Sequence, residues 1–108
     1  MNYYSLLVRC NIFSIEVAEY KYEYGESGTI THKNYTNDEH IIWVISTDCT
    51  QVQLISNSFD LEDPYDVLTL QYDGERTEFT GNGFGDDFIV PTNYFELVFT
   101  SDGSVTQS

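Results

Sequence analysis

Basic residues are scarce in this sequence: Lys and Arg number 4 against 18 Asp and Glu, for a formal charge of −14. Phosphate backbones need cations to displace their counterions, so nucleic acid is disfavoured as a partner. Anionic membrane surfaces are disfavoured for the same reason. The remaining electrostatic choices are metal cations and proteins presenting Lys or Arg. Long apolar runs are absent too; nothing approaches the roughly 18 residues that a membrane-spanning helix requires. Cysteine is limited to Cys10 and Cys49. Two cysteines cannot complete a zinc site, and their spacing is not that of a redox pair. In an oxidising compartment they would form a disulfide; in a reducing one they would be two buried thiols packed as small hydrophobes. The start, "MNYYSLLVRCNIFSIEVAEY", has no basic leader, and Arg9 and Asn11 interrupt its apolar stretch. It reads either as mature sequence after signal removal or as a chain that is not secreted.

What is present is a folded composition. Hydrophobic residues make up 41% and aromatics 16%, with nine Tyr and seven Phe, which a disordered acidic tail would lack. At 108 residues the chain is long enough for one domain with a real core and too short for two. The acidic residues are interleaved with apolar ones, so no segment is low-complexity. The stretch Asn34–Tyr35–Thr36 is an N-glycosylation sequon, which has meaning only in a secretory context.

Alternation of apolar and polar residues predicts strands over 41–46, 50–56, 66–72, 77–80, 87–90 and 94–100. Turn signals punctuate them at Asp73–Gly74, Gly81–Asn82–Gly83, Pro91–Thr92–Asn93 and Ser101–Asp102–Gly103. Short strands at this spacing predict an all-β, antiparallel β-sandwich. Residues 12–24, "IFSIEVAEYKYEY", are ambiguous. Phe13, Ile15 and Val17 alternate in one phase and Tyr20, Tyr22 and Tyr24 in the other, so a strand would need a bulge or a crossing between sheets. A helix also fits the spacing, but tyrosine and β-branched enrichment favours strand.

No catalytic constellation is visible. His32 and His40 read as solvated loop histidines without a nucleophile nearby, and "GNGFG" reads as a turn, not a phosphate loop. A non-enzymatic protein is expected.

Residues 25–108 resemble a CUB domain, the extracellular sandwich module of complement proteases, tolloid-type proteinases and spermadhesins. "GESGTITHKNY" resembles the family's opening Gly-x-Ile-x-Ser-Pro-Asn-Tyr, and "IIWVI" its Cys-x-Trp-x-Ile without the cysteine. "VQLISNSFDLE" resembles Ile-x-Leu-x-Phe-x-x-Phe-x-Leu-Glu, with Ser56 at the first Phe. "YDVLTLQYDG" resembles Tyr-Asp-x-Leu-x-Ile followed by Asp-Gly, and "NYFELVFTSDGS" resembles Asn-x-Leu-x-Ile-x-Phe-x-Ser-Asp-x-Ser. Both family disulfides are missing, with Ile41 before Trp43, Asp63 before Tyr65 and Thr80 before Gly81, so any bridge here would be a new one. The family's closing strand has no counterpart after Ser104, and residues 1–24 are an extension that the family does not have. Leu6, Val8, Phe13, Ile15 and Val17 of that extension are candidates to fill a vacant strand position, in this chain or in a neighbouring copy as a homopolymer of extracellular fibres.

The resemblance also implies a Ca²⁺ site, with carboxylates from Glu62, Asp66 and Asp102 and further oxygens from Gly103 and Ser104. Calcium takes 6–8 hard oxygens, typically at about 2.3–2.6 Å, which such a set could supply with water and backbone carbonyls. In the family such a site commonly receives a Lys or Arg of a partner, so the implied function is extracellular adhesion to basic or glycan-bearing proteins.

Overall fold

Strands form wherever the chain alternates, because successive side chains point to opposite faces and one face can be buried. The computed structural model describes residues 3–10, 12–33, 38–61, 66–80 and 88–101. Its strands are β1 (Tyr3–Arg9), β2 (Phe13–Val17), β3 (Tyr20–Tyr24), β4 (Ser27–Lys33) and β5 (His40–Thr47). They continue as β6 (Val52–Asp60), β7 (Val67–Tyr72), β8 (Glu75–Phe79), β9 (Phe88–Val90) and β10 (Tyr94–Thr100). One sheet has the order β4-β1-β6-β9 and the other β3-β2-β5-β10-β7-β8. Every pairing is antiparallel. The protein is an all-β antiparallel sandwich, with no helix among the described residues.

The core lies between the sheets. Tyr4, Leu6 and Val8 of β1, Ile30 of β4 and Leu54 of β6 come from one side. Phe13 and Ile15 of β2, Ile45, Leu68, Leu70, Phe95, Leu97 and Phe99 come from the other. Each such side chain stabilises the fold by roughly 1.5–3 kcal/mol. Strands β1, β2 and β3, which lie within the N-terminal extension, are members of the two sheets. β1 is an interior strand, paired with β4 on one side and β6 on the other. Among the donation candidates, Leu6, Val8, Phe13 and Ile15 are buried in their own chain's core, and Val17 is half-buried on β2.

The phase change in residues 12–24 has a simpler cause than a bulge. β2 and β3 form a hairpin through Ala18–Glu19, in which Phe13 pairs with Tyr24, Ile15 with Tyr22 and Val17 with Tyr20. Ala18 takes a left-handed backbone (φ 53°), which the first position of a two-residue hairpin turn requires. The Asp73–Gly74 turn joins β7 to β8 with both φ values positive (48° and 81°), as that residue pair predicts. Residues 27–33, within the stretch that resembles the family's opening motif, form strand β4. His32 lies on β4 and His40 opens β5, so neither is a loop histidine.

Cys10 and Cys49 form a disulfide with Cα atoms 6.3 Å apart. It ties the end of β1 in one sheet to the connection leaving β5 in the other. Thr47 organises the same corner: its hydroxyl donates to the Ile12 carbonyl (3.2 Å), accepts the Cys49 N–H (2.9 Å) and contacts Cys10 Sγ (2.6 Å). A disulfide fits an oxidising compartment.

Candidate interaction surface

Two regions follow from this register. The first is the end of the six-stranded sheet where β7 begins and β10 finishes. Val67 pairs with Thr100, and Thr100 with His40, so Glu39, Ser101 and Asp66 form the next row across three adjacent strands. Asp66 is fully buried, and Ser101 is buried beside it. Backbone ties fix the row: the Thr80 hydroxyl donates to the Asp66 carbonyl (2.7 Å), and Ser101 N–H donates to the Glu39 carbonyl (3.1 Å). In return the Glu39 N–H donates to Ser101 Oγ (2.9 Å). The Glu39 carboxylate meets His32 Nε2 at 2.6 Å.

His32 in turn sits edge-on to Tyr4 and Phe99, with centroids at 5.7 and 5.9 Å. Tyr4 is fully buried, and Trp43 Nε1 donates to its hydroxyl at 3.1 Å. Burial pushes the Tyr4 phenol well above its ordinary value, the Glu39 charge adds to this, and the Trp43 bond opposes it. This aromatic and ionic cluster roofs the end of the core. The sequence does not mark Glu39 and His32 as a pair, because they lie seven positions apart and meet only where the two sheets pack, His32 on β4 of one and Glu39 just before β5 of the other.

Of the calcium ligands that the family resemblance implies, Asp66 lies at this end. Glu62, Asp102, Gly103 and Ser104 lie outside the described residues, as does the sequon asparagine Asn34. Among the described residues, no three His, Cys, Asp or Glu side chains gather to hold a metal.

The second region is the outer face of the six-stranded sheet. Glu16, Val44, Glu96, Gln71 and Arg76 follow one another across it by register. The next row is Ile42, Val98, Thr69 and Glu78, and the one beyond it has His40, Thr100 and Val67. Ile42 is 43% exposed, while Val44, Val67 and Val98 are half-buried. Among the described residues no further layer covers these side chains. The result is an aliphatic strip bordered by the carboxylates Glu16, Glu78 and Glu96. At one end of this face a groove of about 550 Å³ is lined by Gln71, Tyr72, Asn93, Tyr94 and Glu96 among others. Alternation made β7 and β10 legible, but both phases of β5 carry large apolar residues, so sequence could not say whether Ile42 and Val44 or Ile41, Trp43 and Ile45 face outward.

No family model matches the chain, and neither a curated protein nor a solved structure matches it.

Proposed function

We propose that this chain is a secreted, non-catalytic interaction module that binds proteins presenting Lys and Arg. The observation that supports this best is the outer face of the six-stranded sheet. Ile42, Val44, Val67 and Val98 lie there, uncovered by any further layer of described residues, among Glu16, Glu78 and Glu96, in a chain with a net charge of −14. An apolar centre with an acidic border suits a partner whose aliphatic or aromatic side chains are flanked by cations. The disulfide is consistent with an extracellular setting. The groove beside Tyr72 and Tyr94, with the amides of Gln71 and Asn93, would accommodate a sugar of a glycan-bearing partner.

Calcium belongs to the same proposal. Asp66 is a hard oxygen donor buried at the sheet end, from which residues 62–65 and 102–104 directly continue the chain. With Glu62, Asp102, Gly103 and Ser104 it would hold Ca²⁺, which supplies the positive charge that lets several carboxylates converge. The competing proposal, a fibre subunit that hands its N-terminal strand to a neighbour, has β1 already seated inside its own sandwich.

The test is a nuclear magnetic resonance titration of the folded protein with a peptide mixing Leu with Lys and Arg. A control peptide replaces the cations by norleucine and citrulline. Shifts at Ile42, Val44, Glu96 and Val98 with the cationic peptide alone are expected, and Glu16→Gln/Glu96→Gln should weaken them. Equal binding of both peptides, or shifts confined elsewhere, would refute the reading. Calorimetric titration with CaCl₂ tests the ion separately: heat in the parent and none in Asp66→Asn is expected, and no heat in the parent removes calcium from the proposal.

A further inference from the structure

Strand β3 reads Tyr20–Lys21–Tyr22–Glu23–Tyr24 and is an edge of the six-stranded sheet among the described residues. Its first four residues are exposed, with Tyr20 at 65% and Tyr22 at 48%. The two-residue turn makes Val17 and Tyr20 the closing hydrogen-bonded pair of the β2–β3 hairpin. Tyr20, Tyr22 and Tyr24 therefore spend their backbone groups on β2, and those of Lys21 and Glu23 point away from the sheet.

We infer that β3 is a self-association edge, pairing antiparallel with the β3 of a second copy about a two-fold axis at Tyr22. The strand is a palindrome in residue class. Laid antiparallel on itself about Tyr22, it sets Lys21 opposite Glu23 of the partner, and Glu23 opposite the partner's Lys21. Those are the residues whose N–H and C=O groups point outward, so both charge pairs fall at hydrogen-bonded positions. On the other face Tyr22 meets its own copy and Tyr20 meets the partner's Tyr24, covering the exposed rings.

Charges on an edge strand normally guard it against pairing. Here the guard fails against an antiparallel copy of the same strand, because Lys and Glu exchange places. Like-charged pairs would result from shifting the register by two residues. Lys21 is also one of only 4 basic residues in the chain, and it faces Glu16 within its own sheet. The partner's Glu23 would give it a second carboxylate. The interface is isologous, so it closes at two copies. A five-residue strand lies at the small end of specific interfaces, so association should depend on concentration.

The experiment is sedimentation velocity across a concentration series up to millimolar protein. The parent should rise from one to two 12.4 kDa chains and stop there. Lys21→Glu and Glu23→Lys should each remain monomeric, since each sets like charges opposite one another twice. An equimolar mixture of the two should dimerise, because every junction is again Glu against Lys. Circular dichroism checks that these exposed substitutions leave the fold intact. Tyr22→Cys, added to a chain whose own cysteines are paired, should cross-link to a covalent dimer under mild oxidation. A parent that stays monomeric, growth beyond two copies, or single variants that dimerise like the parent would overturn the assignment, as would a mixture that remains monomeric.

Discussion

Removing the Cys10–Cys49 bridge by a double Cys10→Ala/Cys49→Ala substitution should destabilise the protein by about 4 kcal/mol. The figure comes from loop closure: the bridge spans a separation of 39 residues, and freeing a loop of that length returns roughly 13 cal/mol/K to the unfolded chain. Against a total stability of about 5–15 kcal/mol for a domain of this size, that is a large share. The bridge also joins the two sheets at a corner where Thr47 contacts Cys10 Sγ, so native contacts are lost along with the constraint. At this chain length the expected fall in melting temperature is about 15–25 °C. The assay is thermal unfolding followed by circular dichroism, comparing the parent, the double variant and the parent under reductant. Thiol titration of the unfolded parent should find no free sulfhydryl. A shift below about 5 °C for a parent whose bridge is verified would refute the entropic reasoning. Free thiols in protein from an oxidising compartment would refute the bridge itself.

Three further outcomes are expected. Tyr4 keeps its proton in the fold beyond the pH at which the unfolded chain releases it, since burial raises it from an ordinary value near 10. Its contribution is thus complete below about pH 10 and falls above it by about 1.4 kcal/mol per pH unit. Tyr4→Phe should lose about 1 kcal/mol at neutral pH with the Trp43 bond and then show a shallower alkaline decline in urea melts. Gly28→Ala should cost about 1–3 kcal/mol in the same assay, because an added Cβ would lie 2.6–2.7 Å from the Tyr24 ring, which stacks on Phe13; a neutral effect would mean that the ring swings aside freely. Ala18→Gly should stabilise by up to about 1 kcal/mol, since φ 53° strains an L-residue, and a destabilised variant would contradict that account of the hairpin turn.

Much of the strand pattern was legible because alternation is local. The runs around Trp43, Leu68 and Leu97 need no register to be recognised; Phe95, Leu97 and Phe99 recur at every second residue. The hairpin at 13–24 was not legible, because Ala18 occupies a position where glycine or asparagine would have announced a turn. Strand β4 escaped recognition as a strand because its outward phase is Ser27, Thr29, Thr31 and Lys33, and its inward phase includes Gly28, so few apolar residues remain to mark it. The candidate site divides similarly. Asp66 stood out at the mouth of β7, whereas its row with Ser101 and Glu39 exists only through the pairing of β10 with both neighbours.

Composition and alternation by themselves determined that this protein is all-β, strongly acidic and built around aromatic and β-branched side chains. They did so because burial of every second residue depends on nearest neighbours along the chain. Only the tertiary structure decided that β1 is an interior strand, that Cys10 reaches Cys49, that Ile42 and Val44 face outward and that β3 is left at an edge. Those outcomes depend on which strands pair across long sequence separations, and that choice is set by the packing of two sheets against each other rather than by any local preference.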